Sequence, residues 1–381
     1  MGLIIDVTRA FQHAWLGRLP TGIDRVDLEY LHHFSGTGRA LLRLGGRWMF
    51  LGAADSRKLF RALSQTGGVS RRCLIGCVLK SYVLSWRWPR AGAWLIHTGH
   101  AGLERENFSD RVRRYGLRPL YFLHDLIPIR YTEYCGSGVA VAHHRRLATL
   151  LETASAVLVN SQDTGRDLAQ YATEEGCKVP AWTVAPLGIG RLHGLAGPRP
   201  LEAPYFVMLS TIEPRKNHLL LLHLWRELVA QLREHAPRLV VIGRRGWKCE
   251  QVFNMLDHCA ALRGFVIELP RCGDDELLTW LSHAQALLFP SFAEGYGLPL
   301  VEAMSLGVPA IVSDIATFRE VGRDIPEYVS PLDGLGWKRL ILEYMDNDGA
   351  ARSAQLARMK GYQAPTWEAH FQVVEGLLTS L

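Results

Sequence analysis

The stretch that decides the fold is residues 287–304, which read LLFPSFAEGYGLPLVEAM. An apolar run ends at Phe289, a loop with Gly295 and Gly297 follows, and a helical pattern then covers Pro299–Ser305. A proline suits the first position of a helix because the N–H that it lacks would have no partner there. The pattern predicts a strand, a loop and a helix, which together form the repeating unit of a layered α/β fold.

Short apolar runs of this kind recur along the chain and alternate with amphipathic helical patterns. Such strands are typical of parallel sheets that helices cover on both faces, so we predict an α/β protein with doubly wound sheets. The predicted strands are Leu3–Val7, Ala93–His97, Leu120–His124, Ala156–Asn160, Tyr205–Leu209, Leu239–Ile242, Phe265–Leu269, Ala286–Phe289 and Ala310–Ser313. The predicted helices are Asp24–His33, Ser161–Tyr171, Leu219–Glu234, Glu250–Ala261, Asp274–Ser282 and Pro299–Ser305.

The length of the chain predicts two domains. Its 381 residues exceed what one core of ordinary size holds. Residues 194–204 read GLAGPRPLEAP, and their glycine and proline content indicates a linker. We therefore predict a first domain at 1–193 and a second at 205–364. Two hinged α/β units are expected to bind a ligand between them, where loops at the carboxyl ends of parallel strands form a crevice.

The composition excludes several classes of protein. Apolar residues make up 48% of the chain and charged residues 21%, which is ordinary for a soluble globular protein. The seven cysteines are odd in number and scattered, which argues against a disulfide framework or a zinc site. The chain opens on MGLIID, which reads as a strand and not as a signal peptide, and no run of 18 apolar residues occurs. We expect a cytoplasmic protein.

Positive charge is concentrated in the first half of the chain. Residues 1–190 hold 24 Lys/Arg and 15 Asp/Glu, whereas residues 191–381 hold 19 and 22. This bias favours an anionic partner for the first half, such as a membrane surface or a phosphorylated acceptor, although a merely basic surface explains it equally well. The stretch Arg71–Arg90 interleaves basic residues with tryptophans and fits either a peripheral membrane contact or an ordinary half-buried helix. No nucleic-acid-binding module accompanies the charge.

The loop after the strand that ends at Phe289 is suited to an anion. Gly295 and Gly297 let backbone N–H groups approach a ligand closely, and the helix start behind them favours negative charge, as on a diphosphate. Glu294 and Glu302, which we expect in the first turn of the helix, would repel phosphate unless they contact neutral groups such as sugar hydroxyls. The alternative is structural: Glu302 complements the helix dipole and the glycines shape a turn.

A second loop brings adjacent cations to a strand end. Arg215 and Lys216 follow the strand Tyr205–Leu209 and precede an amphipathic helix. Such a pair can neutralise the charge that develops on a departing diphosphate. Taken alone it also fits a solvated basic turn. Its occurrence in the same half-chain as the carboxylate loop, with both at strand ends, favours a single site.

The first half offers candidates at its own strand ends. His124 and Asp125 follow a predicted strand, and His97 and His100 end the preceding one; each histidine alone also fits a structural hydrogen bond. His97, His100 and Asp125 are predicted on the acceptor side.

The loop after the first strand, residues 17–25, is a further candidate. Gly22 would let the backbone approach a diphosphate or a second substrate, and Arg18 or Arg25 would contact a phosphate of that second substrate, the acceptor. The loop lacks GxGxxG, which removes the main signature of a nicotinamide-linked oxidoreductase.

Taken together, these segments resemble the retaining glycosyltransferases of the GT-B fold that carry a Glu-x7-Glu signature (glycosyltransferase family 4), here Glu294 and Glu302. The likeness is greatest to the bacterial polysaccharide and O-antigen branch, which includes mannosyltransferases. That family has two Rossmann-like domains that face each other across a cleft. The other matching segments are Thr21–Val26, His124–Pro128, Val159–Ser161, Pro186–Gly188, Glu213–Asn217 and Ile242–Trp247.

The resemblance implies a role for each site residue. Glu294 would hold hydroxyls of the donor sugar and Glu302 the nucleotide ribose, while His124 would face the donor sugar. Arg215 and Lys216 would bind the diphosphate together with the backbone of Gly295, Tyr296, Gly297 and Leu298. Some relatives place another arginine before the basic loop, where this chain has Ser210-Thr211, so Arg215 carries more of the charge or Arg244 helps. The final helix, 365–381, would pack back on the first domain.

The resemblance also implies the reaction. A hexose would pass with retention from a nucleoside diphosphate sugar to a glycan or polyprenyl-diphosphate-linked acceptor, at the inner face of the cytoplasmic membrane. GDP-mannose is the best candidate, and UDP- and dTDP-sugars stay open. No Asp-x-Asp occurs in the loops that carry these site residues, so we expect no metal and no other cofactor, with basic residues acting in the metal's place. The alternatives are a sugar-nucleotide epimerase on the same fold and a non-catalytic subunit of a polysaccharide assembly complex.

Overall fold

The computed structural model describes residues 2–17, 22–64, 76, 88–190 and 195–380. The chain divides into two compact units. Unit 1 comprises Met1–Ile129, Gly138–Leu187 and Trp367–Leu381, and unit 2 comprises Arg130–Ser137 and Gly188–Thr366. Arg18 and most of the stretch Arg71–Arg90, on which we based a predicted acceptor contact and membrane contact, lie outside the described residues.

Unit 1 is built on a seven-stranded sheet in the order β3-β2-β1-β4-β5-β6-β7. All neighbours are parallel except β2 and β3, which form an antiparallel hairpin at one edge. The strands β4 and β6 are buried along their whole length, which explains their uninterrupted apolar sequences. The strands are β1 Leu3–Asp6, β2 Arg39–Leu44, β3 Arg47–Phe50, β4 Trp94–His97, β5 Arg118–Leu123, β6 Ala156–Val159 and β7 Trp182–Val184.

Helices connect the strands of unit 1, and the last of them comes from the C-terminal segment. They are α1 Thr8–Trp15, α2 Gly22–His33, α3 Ala53–Leu63, α4 Phe108–Arg114, α5 Ile127–Arg130, α6 Val139–Thr153, α7 Gln162–Glu174 and α15 Trp367–Ser380. Ser161 caps α7, because its side chain accepts a hydrogen bond from the Thr164 N–H. In α15, His370 Nε2 lies 2.8 Å from the Tyr30 hydroxyl and its Nδ1 lies 3.0 Å from the Pro186 carbonyl oxygen, so the helix is fixed within unit 1.

Unit 2 is built on a six-stranded sheet in the order β10-β9-β8-β11-β12-β13, with parallel neighbours throughout. Its strands are β8 Tyr205–Leu209, β9 Arg238–Ile242, β10 Val266–Leu269, β11 Leu287–Phe289, β12 Ala310–Ser313 and β13 Glu327–Val329. Its helices are α8 His218–Leu232, α9 Glu250–His258, α10 Asp274–Ser282, α11 Leu298–Ser305, α12 Ala316–Gly322, α13 Gly334–Glu343 and α14 Ala350–Met359, with short 3-10 turns at Thr132–Tyr134, Pro214–Lys216, Arg233–His235 and Ala260–Leu262. Apolar clusters pack on both faces of the sheet.

Each sheet reverses its strand order at one point. In unit 1 the order reverses between β1 and β4, and in unit 2 it reverses between β8 and β11. Helices leave opposite faces of the sheet on the two sides of such a point, so the loops at the carboxyl ends of these strands diverge and leave room for a ligand. We call these two places the unit 1 switch point and the unit 2 switch point. The loops that carry the predicted site residues follow these strands or their neighbours.

The nine predicted strands and six predicted helices are all present, most of them within two residues of their predicted ends. The fold class, two Rossmann-like α/β units, is confirmed. One detail is wrong: α11 begins at Leu298 and not at Pro299, and Glu302 is its fifth residue, so it lies beyond the first turn. The left-handed conformation of Gly297 starts the helix one residue early.

The segment Arg130–Ser137 belongs to unit 2, although the predicted first domain, 1–193, includes it. Contacts within unit 2 explain this placement. The Trp247 indole N–H donates to the Tyr134 carbonyl oxygen at 3.1 Å, Lys248 Nζ donates to the Cys135 carbonyl oxygen at 2.6 Å, and the Tyr134 ring stacks on Phe292 with centroids 5.5 Å apart.

Two further observations concern the parts of the chain that the structure describes. The five described cysteines are free thiols: Cys135, Cys177, Cys249, Cys259 and Cys272. No described helix is long and apolar enough to cross a membrane.

Candidate functional site

The unit 2 switch point brings the two loops of the predicted donor site together. β8 and β11 are neighbouring parallel strands, paired through Val207 and Leu287. The loop after β8 carries Arg215 and Lys216, and the loop after β11 carries Glu294. The Phe292 N–H donates to the Arg215 carbonyl oxygen at 2.8 Å, so the two loops are also joined through their backbones. The fold therefore unites residues that lie 78 positions apart.

Four charged side chains form one ion-pair network in these loops. Arg215 Nη1 lies 2.9 Å from Glu294 Oε2, and Arg215 Nη2 lies 2.7 Å from Glu213 Oε1. Lys216 Nζ contacts the other oxygen of Glu294, Oε1. The side chains of Glu213, Lys216 and Glu294 are less than 10% exposed, whereas that of Arg215 is 21% exposed. Arg215 is thus the member of the network that is most open to a ligand.

Burial and pairing set the protonation of this network. Burial alone would raise the pKa of Glu294, but the charges of Arg215 and Lys216 outweigh it and hold that pKa at about 2. Burial, together with the charge of Arg215, lowers the pKa of Lys216. Because the carboxylate keeps its charge over the whole physiological range, the pair of cations stays held in a fixed position at neutral pH.

Backbone and helix geometry fix the carboxylate loop. Gly297 has φ +96°, and a Cβ at that position would lie 2.8 Å from Cε1 of Phe318, so only glycine fits without strain. Its carbonyl oxygen accepts the Leu300 N–H at 2.9 Å. The Thr317 hydroxyl donates to the Glu294 carbonyl oxygen at 2.8 Å. The loop is therefore held on both sides of its glycines, at the positive end of an eight-residue helix.

The other residues predicted for donor binding lie in the same place. Gly295, Tyr296, Gly297 and Leu298 form the turn into α11, with the Tyr296 side chain 6% exposed. Glu302 is 5% exposed, on a helix whose Leu300, Val301 and Ala303 are buried. Arg244 follows β9 and is exposed.

Sequence reasoning missed two members of this site. Glu213 pairs with Arg215, and Thr317 anchors the backbone of Glu294. A carboxylate two residues before an arginine at a strand end was a usable signal for Glu213. No local signal marks Thr317, since its contact depends on the position of α12 in unit 2. The contact of both cations with Glu294 was likewise not predicted, because its residue type had suggested sugar hydroxyls as partners.

In unit 1, His124 lies immediately after β5 and is 5% exposed. Its Nε2 lies 2.8 Å from the Thr98 carbonyl oxygen, and its own carbonyl oxygen accepts from Asn160 Nδ2 at 2.9 Å. A carbonyl oxygen can only accept, so Nε2 carries the proton. Burial lowers the pKa of His124 to about 4, which keeps the ring neutral. Asp125 caps the following turn through the Ile127 N–H at 3.0 Å.

The acceptor-side candidates of unit 1 do not share one environment. His97 ends β4 and is buried, with Nε2 3.9 Å from Asp6 Oδ2; burial lowers its pKa to about 4. His100 adopts φ +53° and places Nε2 2.6 Å from the Phe122 carbonyl oxygen. Gly22 is the exposed first residue of α2, and Arg25 lies one turn further along.

Internal ion pairs occupy the unit 1 switch point. Arg43 Nε lies 2.5 Å from Asp6 Oδ2, and both side chains are at most 5% exposed. Arg9 Nε lies 2.8 Å from Asp24 Oδ1 and 3.7 Å from Asp27 Oδ2. These residues were absent from the predicted site, and each cation here is matched by a carboxylate of the same unit.

Among the described residues, no three His, Cys, Asp or Glu side chains are grouped so that they could hold a metal ion. The groups present in the unit 2 loops are instead suited to a polyanion. They comprise the partly exposed guanidinium of Arg215, the buried ammonium of Lys216 and a helix start whose backbone contains glycine.

The second part of the chain is similar to known proteins. Residues 196–325 match the family model described as "Glycosyl transferases group 1". The chain is 27% identical over 249 residues to the serotype-specific mannosyltransferase WbdA of Escherichia coli, which covers 61% of this chain and 30% of that protein. It is 31% identical over 167 residues to O-antigen chain mannosyltransferase B of Escherichia coli, which covers 43% of this chain and 42% of that protein. The chain thus spans less than half the length of these relatives.

Two solved structures share the fold over the whole chain. Anabaena HepE, solved in complex with UDP and glucose, has a TM-score of 0.69 at 15% identity, with 100% of both chains covered. An α,α-trehalose-phosphate synthase (UDP-forming) from Burkholderia vietnamiensis has a TM-score of 0.63 at 12% identity, again with 100% of both covered. At such identities the likeness establishes the GT-B fold alone. The family model, for its part, matches the stretch that carries the Arg215–Glu294 network, which agrees with the resemblance that the motifs predicted.

Proposed function

We propose that the chain is a retaining hexosyltransferase that takes a hexose from a nucleoside diphosphate sugar and transfers it to a glycan or polyprenyl-diphosphate-linked acceptor. The observation that supports this best is the network of Arg215, Lys216 and Glu294 at the unit 2 switch point. Adjacent cations held by a carboxylate at a helix start form a site in which a diphosphate fits and charge can develop. The mannosyltransferase names of the relatives support mannose, with GDP-mannose as the donor.

In this proposal the diphosphate of the donor contacts Arg215 and the backbone N–H groups at Gly295–Leu298. The Arg215 side chain is partly exposed. It is positioned by Glu213, Glu294 and the Ala293 carbonyl oxygen, which accepts from Nη1 at 2.8 Å. Because these three groups fix the guanidinium, and Glu294 also fixes the ammonium, before the donor arrives, little reorganisation accompanies the reaction.

The chemistry breaks the bond between the anomeric carbon and the diphosphate oxygen. The electron pair leaves with the nucleoside diphosphate, whose new charge Arg215 and Lys216 stabilise. The acceptor oxygen bonds to the anomeric carbon from the face that the leaving group vacates, and its proton passes to the leaving diphosphate oxygen. Glu294 holds donor hydroxyls while it remains paired with the cations, and Glu302 holds the ribose. His124 is proposed to contact a sugar hydroxyl through its neutral ring.

Donor binding is the first experiment, because it does not require the acceptor. Calorimetry with GDP, GDP-mannose, UDP-glucose and a dTDP-hexose should show one nucleotide bound in preference to the others. Lys216→Met should weaken binding of that nucleotide at least tenfold, because it removes a buried cation from the diphosphate site. Lys338→Met is the matched control, since Lys338 pairs with Glu227 elsewhere in unit 2 and should change nothing. Equal binding by both variants would contradict the proposed site.

The reaction itself is tested by NMR of the anomeric proton. With donor and a mannose-containing acceptor, the product should keep the anomeric configuration of the donor. With donor alone, slow hydrolysis and no change of the hexose is expected. Conversion of the hexose without acceptor would indicate an epimerase, and binding without any turnover would indicate a non-catalytic subunit. Omission and addition of Mg²⁺ in the same assay tests the expectation that no metal is needed.

A cytoplasmic location at the membrane inner face is part of the same proposal. It rests on the positive balance of residues 1–190 and on the kind of acceptor proposed. Sedimentation with vesicles that contain anionic lipid, compared with neutral vesicles, tests it.

A further inference from the structure

Three histidines of unit 1 pack against one another after β4 and β5. The rings of His100 and His124 have centroids 5.3 Å apart, and those of His100 and His143 have centroids 5.9 Å apart. His143 comes from α6, whereas the other two follow strands. The three residues are 8%, 5% and 4% exposed, respectively. We call His100, His124 and His143 the histidine cluster.

In each ring of the histidine cluster, one nitrogen donates a hydrogen bond to the backbone. Nε2 of His100 donates to the Phe122 carbonyl oxygen, and Nε2 of His124 donates to the Thr98 carbonyl oxygen. His143 donates to the backbone of Asp125. Each carbonyl oxygen accepts a hydrogen bond and so fixes which nitrogen is protonated. Burial, followed by the neighbouring rings for His100, keeps the pKa of all three histidines low, so the rings are neutral.

The remaining nitrogens are hydrogen-bond acceptors. His143 Nε2 is buried and makes no hydrogen bond among the described residues. In His100 and His124 the nitrogen bonded to the backbone is Nε2, which leaves Nδ1 as the acceptor. A buried polar atom without a partner costs about 1–3 kcal/mol, so the His143 nitrogen, in a cluster with two further acceptors, indicates a ligand.

The backbone of His100 adds a second indication. Its φ of +53° lies in the left-handed region, where glycine would be less strained. Strain of this kind concentrates at functional sites, where the side chain is needed at that position. A glycine would relieve the strain but would remove the ring that touches both other histidines.

The chemistry of the cluster selects the ligand. Neutral rings that present only acceptors attract a hydrogen-bond donor and do not attract phosphate oxygens. A cation is disfavoured by the positive balance of residues 1–190. The described residues contain no group placed to hold a metal ion. A hydroxyl group is small, neutral and a donor, and several hydroxyls on one ring match several acceptors.

We propose that His100 and His143 complete, with His124, a sugar-binding site in unit 1 that recognises hexose hydroxyls through unprotonated imidazole nitrogens. This inference rests on the proposed function for its choice of sugar. The hexose comes either from the donor or from the acceptor glycan, and the two sources present the same hydroxyls.

The test measures the sugar's own contribution to binding. For the nucleotide that binds, the affinity of the nucleoside diphosphate hexose is compared with that of the nucleoside diphosphate alone, in the wild type, His143→Ala and His143→Gln. His144→Ala is the matched control, because His144 is the next residue of α6 and pairs with Tyr171 outside the cluster. His143→Ala should reduce the extra affinity from the hexose about tenfold, and His143→Gln, which keeps an acceptor, should restore part of it. Thermal unfolding of each variant verifies that it is folded.

Nitrogen-15 spectra of histidine side chains in the full chain distinguish the sources. A shift of the unprotonated nitrogens with the nucleotide hexose, but not with methyl α-D-mannopyranoside or its glucose equivalent, assigns the donor sugar. A shift with a methyl glycoside alone assigns the acceptor sugar. No shift with any of them, or equal affinities in His143→Ala, overturns the proposal and indicates that water fills the site. If the nucleotide itself fails to bind, the proposed function fails, and the methyl glycoside spectra still decide the histidine cluster.

Discussion

The two switch points of this chain balance charge differently. In unit 1, the cations Arg43 and Arg9 face three carboxylates of the same unit. In unit 2, the cations Arg215 and Lys216 face two carboxylates and lie beside the helix start at Gly297. The same sheet topology therefore gives one place where carboxylates outnumber the cations and another where a balanced network and a helix start can still bind an anion. The difference teaches that topology offers the position, whereas the loop side chains decide its chemistry.

The largest expected effect is on the internal pairing of unit 1. Arg43→Met should lower the free energy of unfolding by about 3–5 kcal/mol, because it leaves Asp6 buried without its cation. Urea unfolding measures this change. Arg319→Met is the control, since its exposed pair with Asp314 is expected to contribute less than about 1 kcal/mol. Similar losses from both variants would remove the contrast between buried and exposed pairs.

The next effect concerns the carboxylate of unit 2. The pKa of Glu294 is about 2, below its ordinary value of 4.5, so its stabilisation is complete above pH 4.5 and is lost as the pH falls toward 2. Its size is about 3 kcal/mol at most. Glu294→Gln should therefore unfold with a weaker pH dependence than the wild type between pH 5 and 3. Glu227→Gln, from an exposed pair, should behave as the wild type.

The protonation of His370, in unit 1, should lower the free energy of unfolding at a higher pH than the protonation of Glu294 does. Burial lowers the pKa of His370 from 6.5 to about 4, so the unfolded chain binds more protons between these values. The stabilisation is complete above pH 6.5 and is lost toward pH 4. His370→Gln does not titrate and should flatten the decline by about 2 kcal/mol, a discounted value for a partly screened group. The exposed His32→Gln should leave the decline unchanged.

The smallest expected effect is the difference between two glycine substitutions, which separates strain from crowding in the carboxylate loop. Gly297→Ala should cost about 1–3 kcal/mol, from its φ of +96° and from contact with Phe318. Gly307→Ala has φ +71° with nothing within 4 Å of the added Cβ, so it measures the conformational cost alone. A larger loss for Gly297→Ala, seen in thermal unfolding, isolates the contact. Equal losses would mean that Phe318 moves aside freely.

Much of the fold could be predicted because buried parallel strands have continuous apolar sequences. β4 and β11 are examples, since every residue of each is buried. The hairpin of β2 and β3 escaped prediction because arginines interrupt its strands. β7 is three residues long, and it is a strand because of its pairing with β6 more than because of its own sequence.

The predicted site divides in the same way. Arg215, Lys216 and Glu294 could be found because each follows a strand end, where the topology makes loops meet. Their direct pairing could not be predicted, since it depends on the positions of side chains 78 residues apart. The histidine cluster depends likewise on where α6 places His143, which no local pattern specifies. The roles assigned to Glu302, His124 and the acceptor-side residues stay predictions.

The C-terminal helix has a consequence for how the protein is made. Unit 1 comprises Met1–Ile129, Gly138–Leu187 and Trp367–Leu381, so its last piece follows the whole of unit 2 along the chain. Its His370 joins Tyr30 to the Pro186 carbonyl, residues that are synthesised long before it. During synthesis, unit 2 can therefore fold completely before α15 has been made. Until then, the surface of unit 1 on which α15 packs stays exposed. Of the two units, unit 1 is thus the first to be synthesised and the last to complete its fold.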